Sequence, residues 1–115
     1  MRLEEYFSKH PEIFNGLERG AVINYTIGER KFHIVVGDDI QVVEGVSREA
    51  DLEVKLSEAA ERKLVETPPE EYPKVFGELF LSPEGDAWVE IELVKPMEEL
   101  LSKGYGEWAK RAGVM

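Results

Sequence analysis

The chain has 115 residues, with 24 Asp and Glu against 14 Lys and Arg, a formal charge of -10, 43% hydrophobic residues and no cysteine. That length supports one hydrophobic core and is too short for two, so residues 1-115 read as a single domain. Lack of cysteine excludes disulfides, thiolate metal sites and cysteine nucleophiles, and fits a reducing, intracellular setting. The negative charge repels phosphate backbones and anionic bilayers, which argues against nucleic acid as a partner and leaves at most transient membrane contact. No run reaches the roughly 18 apolar residues of a membrane helix, and Met1-Arg2-Leu3-Glu4-Glu5 lacks the apolar core of a signal peptide, so a soluble cytoplasmic protein is expected. Amides are few, only Asn15, Asn24 and Gln41 beside 33% charged residues, a balance found in thermophiles.

The first segment reads as two short helices, over about residues 2 to 9 and 11 to 18. Leu3, Tyr6 and Phe7 share one face, Ile13, Phe14 and Leu17 another, and Pro11 separates them. Period-two alternation then predicts strands over residues 21 to 27, 30 to 36 and 40 to 46. Their inward sets are Ile23, Tyr25 and Ile27, then Phe32, Ile34 and Val36, then Ile40, Val42 and Val46. The turns between them are so tight that an antiparallel meander follows. A fourth strand runs from Asp51 to Leu56.

Beyond it the period becomes helical. Ser57 is a good N-cap for a helix over about 58 to 66, which Thr67-Pro68-Pro69 stops. Pro69 opens a second helix in which Tyr72, Val75, Phe76, Leu79 and Phe80 follow the helical stripe rule. A fifth strand places Val89, Ile91 and Leu93 inward. Pro96 begins a last helix with the stripe Met97, Leu100, Leu101, Tyr105 and Trp108, weakened at Gly104 and Gly106. The expected class is α+β: a five-stranded, mostly antiparallel sheet with helices packed on one face.

Catalytic patterns are weak. His10 and His33 lie too far apart in sequence for a helical metal pair, so no metal is assigned. No serine sits in a Gly-x-Ser-x-Gly context, and the paired acids fall on turns or polar faces where solvation is the better account. A carboxylate-dependent hydrolase or isomerase would need Asp38 and Glu90 to converge on a pocket. The run from Gly104 to Ala109 matches a dinucleotide fingerprint only formally, because it follows a helix rather than a strand. Asn24-Tyr25-Thr26 is a glycosylation sequon inside a strand and carries no weight.

What remains is abundant apolar surface between Leu64 and Trp108. Packing against the sheet accounts for most of these side chains. Alternatively, loosely packed amphipathic helices facing the sheet leave an internal groove in which a long apolar ligand replaces missing side chains.

From about Pro11 to Leu101 the order of elements resembles the sterol-carrier-protein type 2 family of small lipid-binding domains, in a prokaryotic or archaeal-type form. The likeness rests on His10-Pro11-Glu12-Ile13-Phe14 before a Gly-containing turn and on the strand from Ala21 to Gly28. The run Glu49-Ala50-Asp51-Leu52-Glu53-Val54-Lys55-Leu56-Ser57 and the C-terminal Glu98 to Tyr105 add to it. The spacing near Phe76-Gly77 and Gly85-Asp86 differs from the animal carriers, and Ala112-Gly113-Val114-Met115 lacks a peroxisomal address. The resemblance implies a non-enzymatic carrier of a fatty-acyl or isoprenoid-like lipid, without cofactor. Phe76, Leu79, Phe80, Leu100, Leu101, Tyr105 and Trp108 would line its cavity, with the last helix as a lid. A sixteen-carbon chain buried there would contribute on the order of 12 kcal/mol before the costs of association. The alternative is an interaction module whose terminal helix packs on a partner or on a second copy as a homodimer.

Overall fold

A computed structural model describes residues 1–115. Strands β1 (Val22–Ile27), β2 (Arg30–Val36), β3 (Ile40–Glu44), β4 (Leu52–Leu56) and β5 (Val89–Leu93) form one sheet in the order β3-β2-β1-β4-β5. The first three make the expected meander. Ile27 pairs with Arg30 across a two-residue turn in which Gly28 has φ 61, the left-handed geometry that such hairpins favour. Strand β4 then lies beside β1 in parallel, with Ile23 opposite Leu52 and Tyr25 opposite Val54, and β5 returns antiparallel to β4. One parallel pairing among antiparallel ones gives the α+β sheet its mixed centre.

To reach β4 the chain must cross from the β3 edge past β2 and β1, and residues 45 to 51 make that passage on the face away from the helices. Asn24 holds the crossing segment down. Its amide donates to Ser47 O at 2.9 Å and to Glu53 Oε1 at 3.1 Å, while Ser47 N donates to its carbonyl oxygen at 2.9 Å. A buried amide is tolerated here because these bonds satisfy it on both sides. The crossing also corrects the third strand, expected to reach residue 46. Gly45 at φ 93 ends it, and Val46 is exposed rather than inward.

The other face carries the core, a cluster that includes Ile23, Tyr25, Ile27, Phe32, Ile34, Val54 and Leu56 from the sheet. Helices α1 (Leu3–Lys9), α2 (Glu58–Val65), α3 (Tyr72–Leu81), α4 (Met97–Ser102) and α5 (Tyr105–Ala112) cover it. Ser57 caps α2 by accepting from Ala60 N at 3.1 Å, as its position predicts, and the same hydroxyl accepts from Trp88 N at 3.1 Å. Pro69 opens a single 3-10 turn, Pro69–Glu71, from which α3 continues, with Pro73 harmless in its first turn.

One helical expectation is corrected, and the weakness expected in the last helix is a break. The segment expected as a helix over 11 to 18 is one 3-10 turn, Pro11–Phe14, because Asn15 is extended and Gly16 takes φ 99. The last helix is two helices. Gly104 takes φ 93 between α4 and α5, and a Cβ there would stand 2.0 Å from Gly16 O, so only glycine lets the break settle on the 15 to 18 loop. Glu18 N donates to Lys103 O at 2.7 Å and fixes the same contact.

A polar cluster ties α1 to the sheet and α2. Arg30 donates to Glu4 and Glu61, and Leu3 N donates to Glu61 Oε2 at 2.9 Å. Burial would raise the Glu61 carboxyl, but the Arg30 and Leu3 bonds outweigh it and hold it below the ordinary glutamate value.

Candidate functional site

Between the β4–β5 edge and helices α3, α4 and α5 runs a groove of about 410 Å³. Its floor is Leu52, Ile91 and Leu93 from the strands. One wall is Phe76 and Phe80 from α3. The other is Met97, Leu100 and Leu101 from α4 with Tyr105, Gly106, Trp108 and Ala109 from α5. Of fifteen lining residues fourteen are hydrophobic and no lining side chain is charged, so the space suits an apolar occupant. The interior is buried at Phe76, Leu100, Tyr105 and Trp108, whereas Leu93, Met97 and Leu101 are each about half exposed and form the lips.

Two aromatic walls are held by their polar ends, which leaves their apolar faces to the groove. Trp108 Nε1 donates to Ile13 O at 3.1 Å, and the indole stacks near Phe14 and Phe76, with ring centres 6.4 and 5.7 Å away. Tyr105 Oη donates to Asp51 Oδ2 at 2.8 Å. Asp51 is fully buried at the start of β4. It also accepts from Val22 N at 2.9 Å and from Lys103 Nζ at 2.7 Å, with Lys95 Nζ at 3.5 Å. Burial alone would raise this carboxyl. The Lys103, Val22 and Tyr105 bonds prevail and keep it below the usual aspartate value. The same arrangement, with burial leading, pushes the Tyr105 phenol far up, so it remains a neutral donor. One carboxylate thus fastens β1, the α4–α5 junction and a groove residue together.

Of the side chains expected in the cavity, Phe76, Phe80, Leu100, Leu101, Tyr105 and Trp108 all border the groove. Leu79 does not. It is buried in the main core, because at 100° per residue it lies on the opposite flank of the α3 stripe from Phe80. Sequence reasoning missed the sheet contribution of Leu52, Ile91 and Leu93 and the role of Asp51. A lone acid at a strand start gives no signal that sets it apart from a solvated one.

The carboxylate pair considered for hydrolysis or isomerisation does not converge. Asp38 is an exposed partner of Arg19 in the β2–β3 turn, at one end of the strand order, and Glu90 is exposed on β5 at the other. His33 Nδ1 lies 2.8 Å from Gly45 O, and His10 Nδ1 lies 3.7 Å from Glu12. The Asn24 amide of the sequon is buried and fully engaged.

No protein-family model matches the sequence, and no curated protein matches it. The architecture does match a solved structure, that of a UbiJ-SCP2 ubiquinone synthesis protein, with a TM-score of 0.54 over 96% of this chain and 88% of that chain. The fold is SCP2-like. Sequence identity in that superposition is 16%, so the shared feature is the SCP2-like arrangement of sheet and helices, as the local patterns predict. No helix of this SCP2-like chain is long and apolar enough to cross a membrane.

Proposed function

We propose that residues 1–115 act as one unit that binds and transfers a long apolar molecule of fatty-acyl or isoprenoid-like kind, without catalysing a reaction on it, in the cytoplasm. The observation that carries this reading is the groove itself, with its uncharged, almost wholly apolar lining. The SCP2-like fold, shared with a protein described as serving ubiquinone synthesis, adds support for a lipid-related role. A methylene occupies roughly the volume of a water molecule, about 30 Å³, so the groove takes on the order of 14 carbons. Each carbon that the walls cover contributes about 0.8 kcal/mol, while the open lips leave part of the chain in water and association and ordering subtract further.

In this reading Phe76, Phe80, Leu100, Leu101, Tyr105 and Trp108 contact the guest, and Leu79 supports them from the core. Helix α4 is the lip that moves. It buries only Leu100, whereas α5 buries Tyr105, Trp108 and Ala112. Leu101 tests the site. It is half exposed at the mouth, so Leu101→Glu preserves the fold while placing a charge against the chain of the guest. Uptake of a fluorescent fatty acid should fall at least tenfold. Undiminished uptake by a folded variant removes the residue from the site, and mass spectrometry of an organic extract of the purified protein asks independently what is bound.

The exposed lips Leu93, Met97 and Leu101 favour one second reading, an interaction surface for a partner or a second copy. Light scattering separates the two. A monomer that retains extractable lipid supports the carrier, and a lipid-free dimer supports the interaction module.

A further inference from the structure

Two polar atoms of the core have no partner. Tyr25 Oη on β1 and Tyr72 Oη at the start of α3 are buried and neither donate nor accept a hydrogen bond. The chain's other tyrosines are bonded, Tyr6 Oη to Thr67 O and Tyr105 Oη to Asp51. Phenylalanine at either position would supply the same ring without an unsatisfied hydroxyl, and native cores leave few such groups unpaired.

The two phenols lie in one aromatic neighbourhood that reaches the groove at Phe76. Both rings pack on Phe7, with centres 5.2 Å from it for Tyr25 and 5.7 Å for Tyr72. Tyr72 also stacks on Phe76, at 5.7 Å and 19°, and Phe76 is groove wall. Burial raises the pKa of both phenols well above the ordinary tyrosine value. Each is raised further by a neighbouring tyrosine, Tyr25 by Tyr105 of the groove and Tyr72 by Tyr25. Both therefore stay neutral, able to donate one hydrogen bond and to accept others.

We infer that Tyr25 and Tyr72 form an inner polar site for the neutral oxygen-bearing end, a hydroxyl or a carbonyl, of the apolar molecule held in the groove. This rests on the carrier reading and specifies the ligand class. A carbonyl oxygen can accept from either phenol, and a hydroxyl can donate to one or accept from it. A carboxylate is disfavoured, because neither phenol has a cation or a hydrogen-bonded partner to share the charge. Phe76 stacks on Tyr72 and walls the groove, so admission of the polar end requires that ring to turn aside, with the chain left along Leu100 and Trp108.

The test compares 1-dodecanol with dodecane, displacing an anilinonaphthalene dye from the full chain and from Tyr25→Phe and Tyr72→Phe. Each substitution should weaken dodecanol about tenfold, leave dodecane unchanged, and leave the melting temperature equal or higher. Variants that bind dodecanol as the native protein does overturn the inference while the carrier reading stands. Variants that melt lower yet keep native dodecanol affinity also overturn it, and assign the hydroxyls to an ordered structural water. Failure of both compounds to displace the dye from the native protein sinks the carrier reading, and this inference with it.

Discussion

Replacing Asp51 with alanine removes the acceptor shared by three elements. The lost partners are Val22 N at 2.9 Å, Tyr105 Oη at 2.8 Å and Lys103 Nζ at 2.7 Å, all on a carboxylate with no exposed surface. Removing one member of a buried ion pair costs about 3 to 5 kcal/mol. Lys103 and Lys95 are 24% and 29% exposed, so their ammonium groups regain water, which places the expectation near the lower end, about 3 kcal/mol. The Asp51 backbone bonds, its N–H to Val22 O and its carbonyl to Val94 N, survive the substitution and keep β4 registered. For a chain of this size about 3 kcal/mol lowers the melting temperature by roughly 12 °C. Urea unfolding followed by far-ultraviolet circular dichroism measures it, with an unchanged m-value showing that the unfolded state is the same. Uptake of the fluorescent fatty acid should fall as well, because Tyr105 loses its anchor. A loss below about 1 kcal/mol would refute the reasoning, since an exposed pair contributes no more than that.

Three further outcomes follow from other contacts. A Cβ at Gly77 would lie 1.7 Å from Ala112 O, so Gly77→Ala should destabilise by about 2 kcal/mol, whereas at an uncrowded helix position the same change stabilises by about 1 kcal/mol; thermal unfolding reads the sign. Asp51 and Glu61 have folded pKa values below their ordinary 3.8 and 4.5, so their stabilisation is complete above those values and is lost as pH falls through the folded ones. A stability-versus-pH series should therefore decline below about pH 4.5, and Asp51→Asn should flatten the acid limb. Ser57→Ala should cost about 1 kcal/mol in denaturant unfolding, because Ala60 N and Trp88 N lose the same acceptor.

Alternation and turn chemistry made the strands legible in the sequence, since the inward sets of β1, β2 and β4 bury as their period predicts, while on the edge strand β3 Ile40 and Val42 are only half-buried and Val46 is exposed. The parallel placement of β4 was not legible. A tight turn dictates pairing between neighbours, but β4 follows a crossing segment whose route is set by Asn24 and Ser47, a contact between distant positions. The groove was legible as an apolar excess on α3, α4 and α5, because a helical stripe shows which side chains turn inward. It does not show which part of the inside they meet, and Leu79 and Phe80 diverge for that reason. Asp51 was hidden because its value lies in Val22, Lys103 and Tyr105, none of them near it in sequence.

Every groove residue comes from Leu52 onward, while β1, β2 and β3 close through short local turns. The parallel pairing of Ile23 with Leu52 must await a long loop closure, so the amino-terminal meander is expected to form early and the groove-bearing half to dock afterwards. That order leaves the late half as the less protected region in amide exchange, able to open while the meander stays folded. In the carrier reading proposed above, a guest would enter past α4 in this half, and its arrival should raise the protection of that half alone.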